Sequence, residues 1–206
     1  MEYSFHLYNK LAADGTAMAL DKLLHADLCR KHAKKIGAGT RSIQNAVDTK
    51  RPIVVVCIGS DLAIGDSLGP ITGSMLKYKT QGLNTFLYGT LSAPVTAKEI
   101  RYLRTFLKET HKGCQVIAVD AAVGEKGDIG LIKLSDNPLF PGAGANKKLG
   151  SIGDISIMGI VAEKSLGNYG LFNTTRLNLV YTMSEIISDS LSALLWDRNG
   201  KAVKNA

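Results

Sequence analysis

Two aspartates carry most of the chemistry that this chain can offer. Asp66 follows an apolar run, Ile53–Ile58, across a loop hinged by Gly59 and Gly65. Asp120 follows a second apolar run, Val116–Val119. In an open α/β sheet the carboxyl ends of the strands lie along one edge, where ligands bind. Two carboxylates delivered there can share one proton or aim a water at a substrate, because neighbouring like charges resist ionising together. Asp66 and Asp120 are therefore the candidate catalytic pair, expected to converge in one solvent-connected cleft.

Each aspartate also has a purely structural reading. Asp66 sits where a helix should start and suits an N-cap, accepting first-turn N–H groups. Pro70 fits the same turn, whose N–H groups have no intrahelical partner. Asp120 precedes Ala121-Ala122 and suits a loop cap. The two positions taken together favour the functional reading. A third region, Ser135–Ser151, reads as a loop from Pro141-Gly142 and Gly144. Such a loop can present backbone N–H groups to a carbonyl oxygen or an anion. Gly142, Gly144, Asn146 and Lys147 are the candidate substrate or oxyanion contacts there; an exposed loop without a ligand is the plain alternative. Cys57 lies inside a strand and reads as a small core residue. His111 ends a helix, where positive charge is favoured without any catalytic role. No glycine fingerprint for a dinucleotide follows the first strand, and there is no P-loop. No cofactor and no metal are called for.

The elements that must position these residues alternate along the chain. Strands are expected at 53–58, 84–88, 116–119, 130–134 and 155–161. Helices are expected at 16–35, 66–78, 96–111 and 174–196, with a short one at 42–47. Residues 1–15 read as extended or frayed. In the helix at 96–111, Ile100, Leu103, Phe106 and Leu107 share one side. Strands alternating with helices imply a mainly parallel sheet covered on both faces; two late strands without a helix between them make part of it mixed. The fold class is a three-layer α/β/α arrangement. Residues 1–50 read as an N-terminal extension with a helix packed on the core, and 51–206 as one α/β domain.

Bulk properties narrow the function classes. A chain of 206 residues with 45% hydrophobic content suits a globular fold with a sizeable core. No apolar run is long enough for a bilayer, and the first residues lack a signal pattern. Cys29, Cys57 and Cys114 lack metal-type spacing and fit reduced thiols in a cytoplasmic compartment. The net charge is +7, but only Arg30-Lys31-His32-Ala33-Lys34-Lys35 concentrates it. A solvated helix face explains that run as well as phosphate contacts do. The aromatic-basic interleaving of single-strand binders is missing, so nucleic acid is not the expected partner.

Three motifs in order resemble those of the bacterial spore germination protease and, more closely, the smaller YyaC-type sporulation proteins. Gly59-Ser60 through Asp66-Ser67-Leu68-Gly69-Pro70 is similar to the first aspartate segment, with Ser60 in place of the usual asparagine. Val116-Ile117-Ala118-Val119-Asp120-Ala121 is similar to the second. Ser135-Asp136 followed by Pro141–Lys148 is similar to the glycine-rich loop. Hydrogenase-maturation endopeptidases share a weaker version, with Asp66 and Asp120 at metal-ligand positions. Their third nickel ligand is a histidine, and none follows His111. The resemblance covers roughly residues 51–163 and implies a phosphorylase/hydrolase-like fold. It also implies peptide-bond hydrolysis through Asp66 and Asp120 in the sporulating cell or spore. The implied partner is a protein or peptide, with small acid-soluble spore proteins as the larger protease's substrates; a homo-oligomer is open. The rival readings are a catalytically silent sporulation protein binding a peptide partner in the same cleft, and, by fold analogy alone, a small-molecule hydrolase.

Overall fold

The run Ile53–Cys57 forms β2, and all five residues are buried, as a β-branched run is when both faces of its strand are covered. Around it the computed structural model describes residues 1–36, 51–83, 85–142, 150–164 and 175–204. In chain order the other elements are β1 (Glu2–His6), α1 (Ala12–Ile36), α2 (Leu68–Lys79), β3 (Thr85–Tyr88), α3 (Ile100–Thr110), β4 (Gln115–Gly124), β5 (Leu131–Ser135), β6 (Ile155–Glu163) and α4 (Leu177–Lys204). The sheet order is β1-β5-β6-β4-β2-β3. Strands β3, β2, β4 and β6 run parallel. β5 is antiparallel to β6, and β1 to β5. The mixed, mainly parallel sheet read from the sequence is the one observed. The expected short helix at 42–47 lies outside the described residues.

The sheet has two unlike faces. Helices α1, α2 and α4 cover one. The stripe Val180, Met183, Ile187, Leu191 and Leu194 of α4 is buried there, at the three- and four-residue spacing that keeps one helix face inward. It packs with Leu20, Leu23 and Leu24 of α1 and with Leu68 and Leu76 of α2. Burying a side chain of this size contributes about 2 kcal/mol. On the other face α3 buries only Ile100 and Leu107, over Val54, Val56 and Ala118. Among the described residues no helix is long and apolar enough to cross a membrane.

Two departures from the sequence reading bear on the site. Residues 2–6 are a paired edge strand, in register from Glu2↔Ser135 to His6↔Leu131, with Tyr3 and Phe5 turned to the larger core. More important, β4 does not end before Asp120. β2 stops pairing at Cys57↔Val119, whereas β6 stays with β4 to Gly124↔Glu163. Val161 is skipped in that pairing, a bulge in β6 of the kind that re-aims strands near sites. The last turns of β4 therefore overhang β2.

The basic run of α1 is partly structural. Arg30 pairs with Asp136 at 3.0 Å, and Lys31 pairs with Asp27 at 2.9 Å and Asp154 at 2.6 Å. Burial alone would lower the Lys31 ammonium, but its bonds to Asp154 and Asp27 outweigh that and push its pKa up.

Main chain touches main chain where α2 crosses the end of β2. A Cβ on Gly73 would lie 1.9 Å from the Gly89 carbonyl oxygen. Alanine is the better helix former by about 1 kcal/mol, so propensity and packing disagree about Gly73→Ala. A backbone clash of that depth wins: the substitution is expected to lower the melting temperature by several degrees. Gly127→Ala, where an added Cβ meets nothing within 4 Å, is expected to leave it within about a degree or two. Thermal unfolding of both variants measures the contrast.

Candidate active site

The chain leaves β2 at Gly59, whose φ is 138°. A Cβ there would meet the Asp66 carbonyl oxygen at 2.0 Å, so only glycine admits the turn. The Gly59 N–H bonds the Val95 carbonyl at 3.0 Å, and the Ser60 N–H bonds the Asp66 carbonyl at 3.2 Å. The loop thus folds back on itself and ends in a single 3-10 turn, Gly65–Ser67. Asp66 sits in that turn, half-buried. Its carboxylate accepts the Ser60 hydroxyl at 2.7 Å. The residue flanking α2 is Ser67, without a side-chain cap bond. The N-cap expected of Asp66 is therefore absent: the 3-10 turn moves the helix start beyond it and leaves its second oxygen to other work.

Asp120 lies within β4, next to the point where β2 departs. Backbone N–H and C=O groups alternate sides along a strand. The Val119 carbonyl points to β2 and accepts the Ile58 N–H at 2.7 Å. Ala121 points the same way, but β2 supplies no further rung. The Asp120 carboxylate fills in and accepts the Ala121 N–H at 2.9 Å. Asp120 thus caps its own strand, close to the loop-cap reading, at a place where the strand continues.

The two carboxyl groups lie within electrostatic range. Burial pushes the Asp120 carboxyl well above the usual carboxylate range, and the Asp66 charge pushes it further. The Ala121 hydrogen bond opposes both and loses. Both causes favour the protonated form of Asp120. On the same sheet face the next residue across from Asp120 is Met158, and beyond it Lys133. The Lys133 ammonium is neutralised by Asp128 at 2.7 Å, so it leaves the pair's proton affinity to the aspartates themselves.

Of the residues singled out from the sequence, Asp66 lies in the 3-10 turn and Asp120 in β4, near enough for the Asp66 charge to act on Asp120. Gly142 occupies a half-buried turn with φ 73°. Leu139 and Ile152 exchange two main-chain hydrogen bonds that pin the base of that loop. Gly144, Asn146 and Lys147 lie outside the described residues. Ser60 is the site residue that the sequence reading passed over. The available signal was a hydroxyl in the glycine loop, six residues before the aspartate it holds. Among the described residues no three His, Cys, Asp or Glu side chains converge on one point.

Sequence comparison agrees with the YyaC-type resemblance. A Bacillus subtilis (strain 168) protein described as uncharacterized protein YyaC is 44% identical over 143 residues, 69% of this chain and 69% of its own length. Among solved structures, a NiFe hydrogenase maturation protease, HycI, from Thermococcus kodakarensis KOD1 superposes with a TM-score of 0.45 at 18% identity. That superposition covers 70% of this chain and 92% of HycI. A family model described as a protein of unknown function, DUF1256, matches residues 30–190, most of the chain. The protein belongs to the DUF1256 family.

Proposed function

We propose that this protein is a peptidase of sporulation or germination that hydrolyses amide bonds with Asp66 and Asp120. The observation that carries the reading is the carboxyl pair: burial and the neighbouring Asp66 charge both raise the proton affinity of Asp120. Asp66 is the general base. It takes a proton from water while the water oxygen attacks the amide carbon. The protonated Asp120 is the general acid. It donates to the carbonyl oxygen; as the tetrahedral carbon collapses, Asp66 passes its proton to the leaving nitrogen and Asp120 takes one back from a hydroxyl of that carbon, which becomes the carbonyl oxygen of the acid. The products are a carboxylic acid and an amine. The Ser60 hydroxyl orients the Asp66 carboxylate for that transfer. The setting is supported by the resemblance of the three motifs to the spore germination protease, which makes small acid-soluble spore proteins the first substrates to try. The compartment proposed is the cytoplasm of the sporulating cell or spore.

Asp66→Asn and Asp120→Asn keep side-chain volume and remove ionisation. Each is expected to lower cleavage of a spore-protein substrate by about 10²- to 10⁴-fold. Ser60→Ala, which removes one charge-assisted hydrogen bond, is expected to cost about tenfold. Single-turnover cleavage by folded variants is the measurement. Undiminished turnover in either asparagine variant removes that residue from the mechanism. A folded wild type that retains a spore protein uncut, from mildly acidic to neutral pH, makes this a binding protein instead.

Stability should carry the same signature. The Asp120 pKa is raised in the folded state above an unfolded value of about 3.9. The associated stability is fully present below that value and is lost as pH rises through the raised folded pKa. Asparagine does not ionise and escapes the loss. Asp120→Asn is expected to gain on the wild type steadily as denaturant midpoints are measured from pH 4 to pH 7. A constant difference across that range would contradict the shifted carboxyl.

A further inference from the structure

The overhang of β4 leaves a strip of main chain that the fold itself does not use. If β2 continued, its Ser60 N–H would donate to the Ala121 carbonyl. That N–H goes to the Asp66 carbonyl instead. The Ile58 carbonyl, the acceptor that the Ala121 N–H would have met, is crowded by the main chain of Gly69, where a Cβ would lie 2.0 Å away. The Ala121 N–H is held by the Asp120 carboxylate. Among the described residues nothing bonds the Ala121 carbonyl or the Val123 groups on this side. The opposite edge of the same stretch is fully paired with β6. The open strip from Ala121 to Gly124 is about 13 Å long, and all four residues are half-buried rather than covered.

An unpaired strand edge has one complementary ligand, which is another extended chain. The strip begins at Asp120, so a chain paired along it passes directly by the carboxyl pair. A second feature, in the loop that carries Asp66, points to the same ligand. The loop between Ser60 and Asp66 displays Leu62 with 90% of its surface exposed and Ile64 with 37%. Apolar side chains on a loop tip beside a polar pair are poorly placed for solubility and well placed to hold an apolar side chain of a bound peptide.

We infer that the free edge of Ala121–Gly124 binds its substrate as an added β-strand. The substrate class is an unfolded or extended polypeptide, recognised through its main chain, with an apolar residue set against Leu62 and Ile64. The Ala121 carbonyl accepts an N–H of the peptide, and the Val123 N–H donates to a peptide carbonyl. The inference deepens the peptidase reading and rests on it for the fate of the bound chain, but strand addition itself requires no hydrolysis.

The test uses the full chain carrying Asp66→Asn, so that bound peptide persists, and one defined probe: the decapeptide Ser-Thr-Val-Glu-Leu-Thr-Val-Lys-Thr-Ser. Amide exchange is expected to slow at Val123 as the peptide saturates the site. Because a strand pairs through one edge, N-methylating one alternate set of peptide amides should weaken binding at least about tenfold. Methylating the other set should change it little. Val123→Pro removes the donor on the open side, where proline is tolerated in a strand; it should weaken binding similarly while keeping the far-ultraviolet spectrum. If that variant does not fold, the methylated peptides give the answer alone. Leu62→Ser should weaken binding several-fold. No protection at Val123 by millimolar peptide, or equal binding of both methylated forms, overturns strand addition. The wild type then separates the two claims. Edge-selective binding without cleavage removes the peptidase reading and keeps this one. Cleavage indifferent to the methylation pattern does the reverse.

Discussion

The site depends on main chain packed directly against main chain at the end of β2. Four glycines make that packing possible. A Cβ on Gly89 would stand 1.8 Å from the Cys57 carbonyl oxygen, one on Gly73 at 1.9 Å from that of Gly89, one on Gly69 at 2.0 Å from that of Ile58, and one on Gly59 at 2.0 Å from that of Asp66. No other residue type fits at any of these positions without moving backbone. The result is that α2 starts almost in contact with the strand it follows. The 3-10 turn bearing Asp66 is pressed toward β4, and β2 stops pairing at Val119 while β4 runs on to Gly124. The placement of Asp66, the strand-ending role of Asp120 and the open edge beyond it are consequences of the same contact.

The electrostatics follow from that geometry and work against stability. An isolated aspartate at the end of a strand would stay hydrated and ionised. Here burial and the charge of Asp66 both raise the proton affinity of Asp120. A carboxyl whose proton affinity is raised on folding contributes less to stability as pH rises, and the buried core on both sheet faces holds it in place. The other charged cluster is of the opposite kind. Asp27, Lys31 and Asp154 alternate in sign, and Asp154 also accepts the Val116 N–H at 2.9 Å. That cluster fastens α1 to the starts of β4 and β6, away from the carboxyl pair.

The amino-acid pattern made the parallel core legible because strands such as Ile53–Cys57 are apolar throughout and helices such as α4 repeat every three or four residues. Asp120 stood out as a charge directly after an apolar run, and Asp66 as a charge reached from such a run across a glycine-hinged loop. What could not be read was set by pairing between distant segments. β1 alternates polar and aromatic residues over only five positions, Glu2–His6, and exists because β5 offers it an edge. The continuation of β4 through Asp120 depends on β6, some forty residues later, and no local feature of Asp120-Ala121-Ala122 announces it. The cap expected of Asp66 failed because the loop's own turn intervened before α2. Ser60 was hidden because a serine in a glycine loop carries no meaning until the loop closes and turns its hydroxyl toward Asp66.

The most direct test of the carboxyl pair is the titration of Asp120 followed by carbon-13 resonance of its carboxyl group, in the wild type and in Asp66→Asn. Coupling of the two groups predicts that Asp120 titrates well above the ordinary aspartate range in the wild type. It also predicts that Asp120 moves down when the charge of Asp66 is removed, without returning fully, since burial remains. An Asp120 that titrates near the ordinary value of about 3.9, or one that is indifferent to Asp66→Asn, would contradict the pair on which the proposed chemistry rests.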